Sequence, residues 1–142
     1  MTDSGNGGGL ALRLGKEAQR VASQHRQLDD FHAVFSDALA SGDTSAARLA
    51  LARFREALEA HFSLEEDFYF PALHGQRAAL APELARLVRE HAVLRAALAE
   101  VADVLAREDV RAGQGGLAAW LPRLREHERA EERLIVDANG AS

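Results

Sequence analysis

His61-Phe-Ser-Leu-Glu65-Glu66 and His127-Glu-Arg-Ala-Glu131-Glu132 are two copies of one His-x-x-x-Glu pattern, 66 residues apart. On a helix, positions i and i+4 share a face about 6 Å apart, so each copy points an imidazole and a carboxylate at one place. That is a chelating pair. The same offset carries much of the remaining chain: Glu17 falls on Glu83, Arg20 on Arg86, His25 on His91, Leu28 on Leu94, Asp37 on Asp103 and Leu39-Ala40 on Leu105-Ala106. In the second helix of each half, Leu51-Ala52 falls on Leu117-Ala118, Phe54 on Trp120 and Leu58 on Leu124. The chain therefore reads as two copies of a helical hairpin. A lone hairpin leaves its apolar face in water, so the copies are expected to pack about a pseudo-twofold axis as a four-helix bundle.

Hydrophobic spacing places the four helices. Val21, Leu28, Phe31, Phe35 and Leu39 recur at helical intervals, and Ser41-Gly42-Asp43 closes that segment. Asp43 or Thr44 caps the next, which carries Leu51, Phe54, Leu58, Phe62 and Leu64 to about Leu73, with Pro71 expected to kink or end it. The third begins at Pro82-Glu83 and carries Leu84, Leu87, Val88, Leu94, Leu98, Val101 and Leu105. The fourth is expected after Gly113-Gln114-Gly115-Gly116, with Leu117, Trp120, Leu121, Leu124, Leu134 and Ile135, and Pro122 predicts a kink or break before His127. Alanine and leucine dominate and β-branched residues are few, so the fold class is all-α. Residues 1–11 are polar and glycine-rich and read as a disordered lead, 12–138 as the bundle and 139–142 as a tail.

Composition narrows the partners. The chain has 142 residues, 47% apolar and 27% charged, which is about one soluble domain. A net charge of -5 without a lysine or arginine run argues against nucleic acid. The polar start is no signal peptide and no apolar window is long enough for a membrane span, so the expected location is cytoplasmic. Cysteine is absent, which excludes thiolate and iron–sulfur ligation. Any metal must be held by nitrogen and oxygen.

Six residues supply such donors: His25, His61, Glu65, His91, His127 and Glu131. His25 shares a stripe with Leu28, Phe35 and Leu39, and His61 and Glu65 lie among Leu58, Phe62, Phe68 and Tyr69, so these faces look inward. Two carboxylates carried inward by symmetry are costly to desolvate and repel one another, and a cation between them removes both costs. Four imidazoles and two carboxylates suit two metals, with Glu65 and Glu131 bridging, His25 and His61 on one ion and His91 and His127 on the other. Nitrogen and oxygen ligation is compatible with iron, manganese or zinc. Iron is favoured, because open, imidazole-rich pairs suit dioxygen or redox chemistry.

In the order and spacing of His, His-x-x-x-Glu, His, His-x-x-x-Glu on four successive helices, residues 16 to 138 resemble the haemerythrin-like family, the HHE cation-binding domain. The resemblance implies an up-down-up-down bundle and two irons with a bridging oxide or hydroxide. It matches His25, His61, Glu65, His91, His127 and Glu131 to the family's ligands. It also implies a small-molecule partner such as O2, NO or peroxide, bound reversibly or for sensing, iron handling or stress response. Oxygen carriers of the family usually have a further His four residues after the third-helix His, where this chain has Arg95. They also end with His-x-x-x-x-Asp, where it has Glu131 and Glu132. One terminal imidazole is thus missing, which weighs against oxygen carriage and toward sensing, iron handling or redox turnover.

Four further residues, Asp29, His32, Tyr69 and Arg95, are candidates to sit around such a centre. Asp29, the repeat counterpart of Arg95, either approaches the first metal, bonds an imidazole, or faces solvent. His32 reads as a pocket residue or a buried, hydrogen-bonded histidine. Tyr69 points its hydroxyl into the cavity or packs in the core. Glu66 and Glu132 read as outward-facing, and His74 as a surface residue. No acid/base pair identifies catalytic residues. A diiron oxidoreductase acting on peroxide or nitric oxide is the alternative function, and a structural or protein-interaction bundle the other.

Overall fold

The computed structural model describes the backbone of residues 3–140 and the side chains of 15, 16 and 18–135. Among these residues only helices occur: α1 (Asp3–Ser41), α2 (Thr44–Leu64), α3 (Phe70–Gln76), α4 (Ala81–Ala106) and α5 (Val110–Gly140). A single π turn, Glu65–Tyr69, joins α2 to α3, so the two form one rod, and a short 3₁₀ turn precedes α4. α1 packs chiefly on α2 and α4 on α5, while α1–α5 and α2–α4 contacts close the bundle. This is the expected all-α, up-down-up-down bundle. α1 is helical through most of the stretch read as a lead and α5 reaches into the expected tail; Met1, Thr2, Ala141 and Ser142 lie outside the described residues.

Three helix boundaries differ from the sequence reading. The rod does not end at Pro71: the wide turn ahead of it bonds the Phe70 N–H to the Glu65 carbonyl. Pro71 then falls in the first turn of α3, directly behind that wider turn. α5 likewise starts at Val110, ahead of the glycines, and runs on through Pro122. Pro122 lies on the exposed face, while Leu117, Trp120 and Leu124 are buried around it, and that packing outweighs one lost backbone bond. The glycines belong inside α5 because two of them face α4. A Cβ on Gly113 would stand 2.6 Å from Leu105 Cδ2, and one on Gly116 2.9 Å from Val101 Cγ2. Their repeat counterparts are Ala47 and Ala50, both buried.

The repeat extends to the hairpin turns. Gly42 and Glu108 both have positive φ, 76° and 61°. The residue after each caps the next helix: Asp43 Oδ1 accepts from the Ala46 N–H and Asp109 Oδ1 from the Ala112 N–H, each at 3.0 Å. Ion pairs between the halves follow it too, joining Asp29 to Arg125 and Arg95 to Glu59, with the signs at equivalent positions exchanged.

Two apolar clusters fill the bundle. One is built around Phe35, Phe54, Phe62, Leu98, Leu105 and Trp120, whose Nε1–H donates to the Leu94 carbonyl at 2.9 Å. The other contains Val21, Leu64, Tyr69, Phe70, Leu73, Leu84, Leu87 and Leu134. Along every rod the candidate ligands fall between the two: His25 between Val21 and Leu28, His91 between Leu87 and Leu94, and His127 and Glu131 between Leu124 and Leu134. A polar layer is thus sealed between two dry ones.

Candidate metal centre

Helical spacing brings all six side chains into that layer. His61 and Glu65 sit one turn apart on the α2 rod, with Glu65 opening the π turn, and His127 and Glu131 sit one turn apart on α5. Single histidines enter from α1 and α4. All six are buried: His61, Glu65, His91 and Glu131 are at most 1% exposed, His127 3% and His25 8%.

The donor atoms form two overlapping groups. His25, His61, Glu65 and Glu131 each offer an atom within 4.8 Å of the others, and so do Glu65, His91, His127 and Glu131. Both carboxylates belong to both groups. Individual separations are short: His25 Nε2 to His61 Nε2 3.1 Å, His91 Nε2 to Glu65 Oε1 3.1 Å, and His127 Nε2 to Glu131 Oε1 2.8 Å. Yet both oxygens of Glu65 and Glu131 and the Nε2 atoms of His91 and His127 have no hydrogen-bond partner. Proximity without hydrogen-bond alignment is what donors aimed at a common point produce. Buried polar atoms are normally satisfied, so this concentration of orphans marks groups that could hold a metal ion.

The outer ring nitrogens explain why the inner ones of His91 and His127 are free, while those of His25 and His61 share one hydrogen bond. His61 Nδ1 donates to Gln24 Oε1 at 2.9 Å, His127 Nδ1 to Glu90 Oε1 at 2.7 Å and His91 Nδ1 to Glu66 Oε2 at 2.6 Å. His25 Nδ1 faces Glu132 Oε1 at 3.6 Å. A proton held at Nδ1 leaves the lone pair on Nε2, the tautomer a metal requires. The pattern obeys the repeat, since Gln24 is the counterpart of Glu90 and Glu66 of Glu132. Glu66 thus turns toward the centre rather than outward as the sequence reading had it, and Glu132, although largely exposed, reaches His25. Gln24 and Glu90 escaped that reading, although the offset that aligned His25 with His91 aligns them as well.

Burial favours the neutral forms of the four histidines and of Glu131. Burial, followed by the imidazoles of His25, His91 and His127, pushes His61 down to about 2. Burial, then His127 and Arg95, takes His91 to about 3. Burial lowers His25 and His127 too, against the pull of Glu132 and Glu90 respectively. Burial, reinforced by Glu132, raises Glu131 well above the carboxylate range, and burial raises Glu128 to about 7 despite Arg125. A cation reverses this logic, ionising the carboxylates and using the imidazole lone pairs.

The family model described as the hemerythrin HHE cation binding domain matches residues 18–138, which span all six side chains. The chain belongs to the haemerythrin family. Neither the curated proteins nor the solved structures give a match. Cation binding is thus the family's property, and the donor groups supply a place for it.

The remaining candidates in this haemerythrin-family chain take other positions. Asp29 pairs with Arg125 instead of turning to a ligand, and Arg95, at the position where carriers hold a histidine, pairs with Glu59 and Glu66 and lies 5.0 Å above the Phe62 ring. His32 lies outside the centre, half-buried beside Phe54. Tyr69 is buried in the second apolar cluster, and His74 is exposed. Phe68, read from the sequence as part of the inward face around His61 and Glu65, is 66% exposed and lies in the π turn. Among the described residues no helix is long and apolar enough to cross a membrane.

Proposed function

We propose that this protein holds two iron ions through His25, His61, Glu65, His91, His127 and Glu131, and binds dioxygen or a related small molecule such as NO or peroxide for sensing, iron handling or stress response. The observation that carries the reading is the pair of buried four-donor groups sharing Glu65 and Glu131. The donor set fits: it is all nitrogen and oxygen, its lone pairs converge, and its carboxylate oxygens are otherwise orphaned. A bound iron pair supplies open coordination positions and one-electron chemistry. The protein's own side chains do the rest. Gln24, Glu66 and Glu90 fix the imidazole tautomers, Phe62 stacks on His91 at 3.9 Å, and the flanking apolar clusters keep bulk water out.

A structural bundle that binds only other proteins gives no reason to bury two orphaned carboxylates, and manganese or zinc would use the same donors. An oxidoreductase acting on peroxide or nitric oxide is the second reading. It is supported by a cleft of about 280 Å³ beside Glu90 and His127, into which Arg86, Arg123 and Arg133 face. Metal analysis with optical spectra under reducing conditions, air and nitric oxide tests the binding reading. The expectation is two irons per chain, one for each donor group, with spectra that change on exposure to the ligand. Full metal content in His61→Ala and Glu131→Ala proteins would refute the ligand set. Catalytic consumption of peroxide or NO, lost on replacing His91, would favour the second reading.

A further inference from the structure

One buried carboxylate has no part in the six-residue set. Glu128 follows His127 in α5 and is 6% exposed. Its Oε1 faces Arg125 at 3.6 Å, whereas Oε2 is buried without a hydrogen-bond partner and lies 4.0 Å from Nε2 of His25. The repeat shows what the equivalent position does in the other half. Glu128 is the counterpart of Phe62, whose ring lies over His91 with the planes 15° apart. The first half therefore covers the second half's His91 with an aromatic ring, and the second half turns a carboxylate oxygen toward the first half's His25. A pseudo-symmetric bundle that only needed to seal the layer would keep the apolar choice twice.

We infer that Glu128 is a seventh donor, a terminal carboxylate for the ion held by His25 and His61, and that the centre is unequal, with the His91–His127 ion left open to an exogenous small molecule. The inference rests on the two-ion reading above. The distance fits: with bonds of about 2.0–2.2 Å, two donors on one ion stand about 3 Å apart when adjacent and about 4 Å when opposite. Glu128 is not among the four donors lying within 4.8 Å of one another, so it joins from the flank and displaces none of them. Opposite it in the repeat, the Phe62 ring offers no donor at all.

The test compares full-length wild type with Glu128→Leu and Glu128→Gln, each loaded anaerobically with ⁵⁷Fe(II). Iron is counted during titration with a competing chelator, and Mössbauer spectra are recorded. Wild type is expected to hold two irons in two distinct doublets of equal area. Both variants are expected to lose one iron at a chelator concentration at least about tenfold lower than wild type, with one doublet altered and the other kept. Metal-free Glu128→Leu is expected to melt above wild type, since it loses a buried carboxylate oxygen that has no hydrogen-bond partner, and the near-isosteric glutamine variant carries the test if leucine does not fold. Wild-type chelator resistance and unchanged doublets in both variants would overturn the assignment of Glu128 and leave the six-residue centre standing. Failure of wild type to take up an iron pair would instead refute the two-ion reading and this inference with it.

Discussion

Replacing His61 by leucine gives a stability difference whose pH dependence follows from the burial of one imidazole. His61 is 1% exposed and its proton affinity is pushed down to about 2, first by burial and then by the neighbouring imidazoles. Below its ordinary value of 6.5 the unfolded chain binds a proton at this residue that the folded chain cannot. Stability is therefore present above that pH and lost as pH falls, at about 1.4 kcal/mol per unit until about pH 2. Between pH 7.5 and 5 the loss through this one group is about 2 kcal/mol, a large share of a domain stability of roughly 5–15 kcal/mol. The other three imidazoles act in the same direction, and Glu128 and Glu131, raised by burial, act in the opposite one. The difference between variant and parent cancels most of what these groups contribute. Loss of the bond to Gln24 offsets the two curves by a constant and leaves the slope. Urea unfolding in EDTA, followed by Trp120 fluorescence and helical circular dichroism, measures that difference. Wild type is expected to lose about 2 kcal/mol relative to His61→Leu over this interval. Parallel curves would show that folded His61 takes up a proton freely, and would refute the sealed, neutral site.

Other perturbations read other parts of the molecule. Glu90→Gln keeps an oxygen for His127 Nδ1 but removes the charge, so iron affinity measured by chelator competition is expected to fall by about tenfold with helical content unchanged. Glu108→Gly relieves a positive φ and is expected to raise stability by about 0.5 kcal/mol in urea unfolding, since the exposed contact of Glu108 with Arg48 is worth little. Gly115→Ala has nothing within 4 Å and is expected to stabilise α5 by about 0.5–1 kcal/mol. Gly113→Ala, pressed against the buried Leu105, is expected to forfeit that gain and lower the melting temperature.

The four helices and the convergence of six donors were legible because the evidence for them is periodic. Imidazole and carboxylate one turn apart, repeated at one offset, leave little freedom in where the side chains meet. Helix boundaries were less legible, since Pro71, Pro122 and Gly113 read as breakers by local propensity. The π turn, the outward placement of Pro122 and the close approach of α4 to α5 are tertiary facts that override propensity. The outer partners were missed for a different reason. Gln24 and Glu90 are unlike residues at one repeat position, and Glu66 follows a ligand directly, so neither stands out as a helical stripe. Glu128 was hidden because its counterpart is Phe62, and a comparison that seeks likeness passes over a position where the halves disagree.

The ion pairs between the halves bear on how two similar hairpins find each other rather than copies of themselves. In the bundle Asp29 meets Arg125 and Arg95 meets Glu59. Two first hairpins assembled in the same way would bring Asp29 against Glu59, and two second hairpins would bring Arg95 against Arg125. Each homotypic pairing sets like charges beside a polar layer already crowded with carboxylates, while the mixed pairing neutralises both contacts. Exchanging the signs at a single pair of repeat positions thus gives the two hairpins distinct identities. It selects pairing of a first hairpin with a second one over pairing of like hairpins, even though the buried ligand layer on its own would accept either.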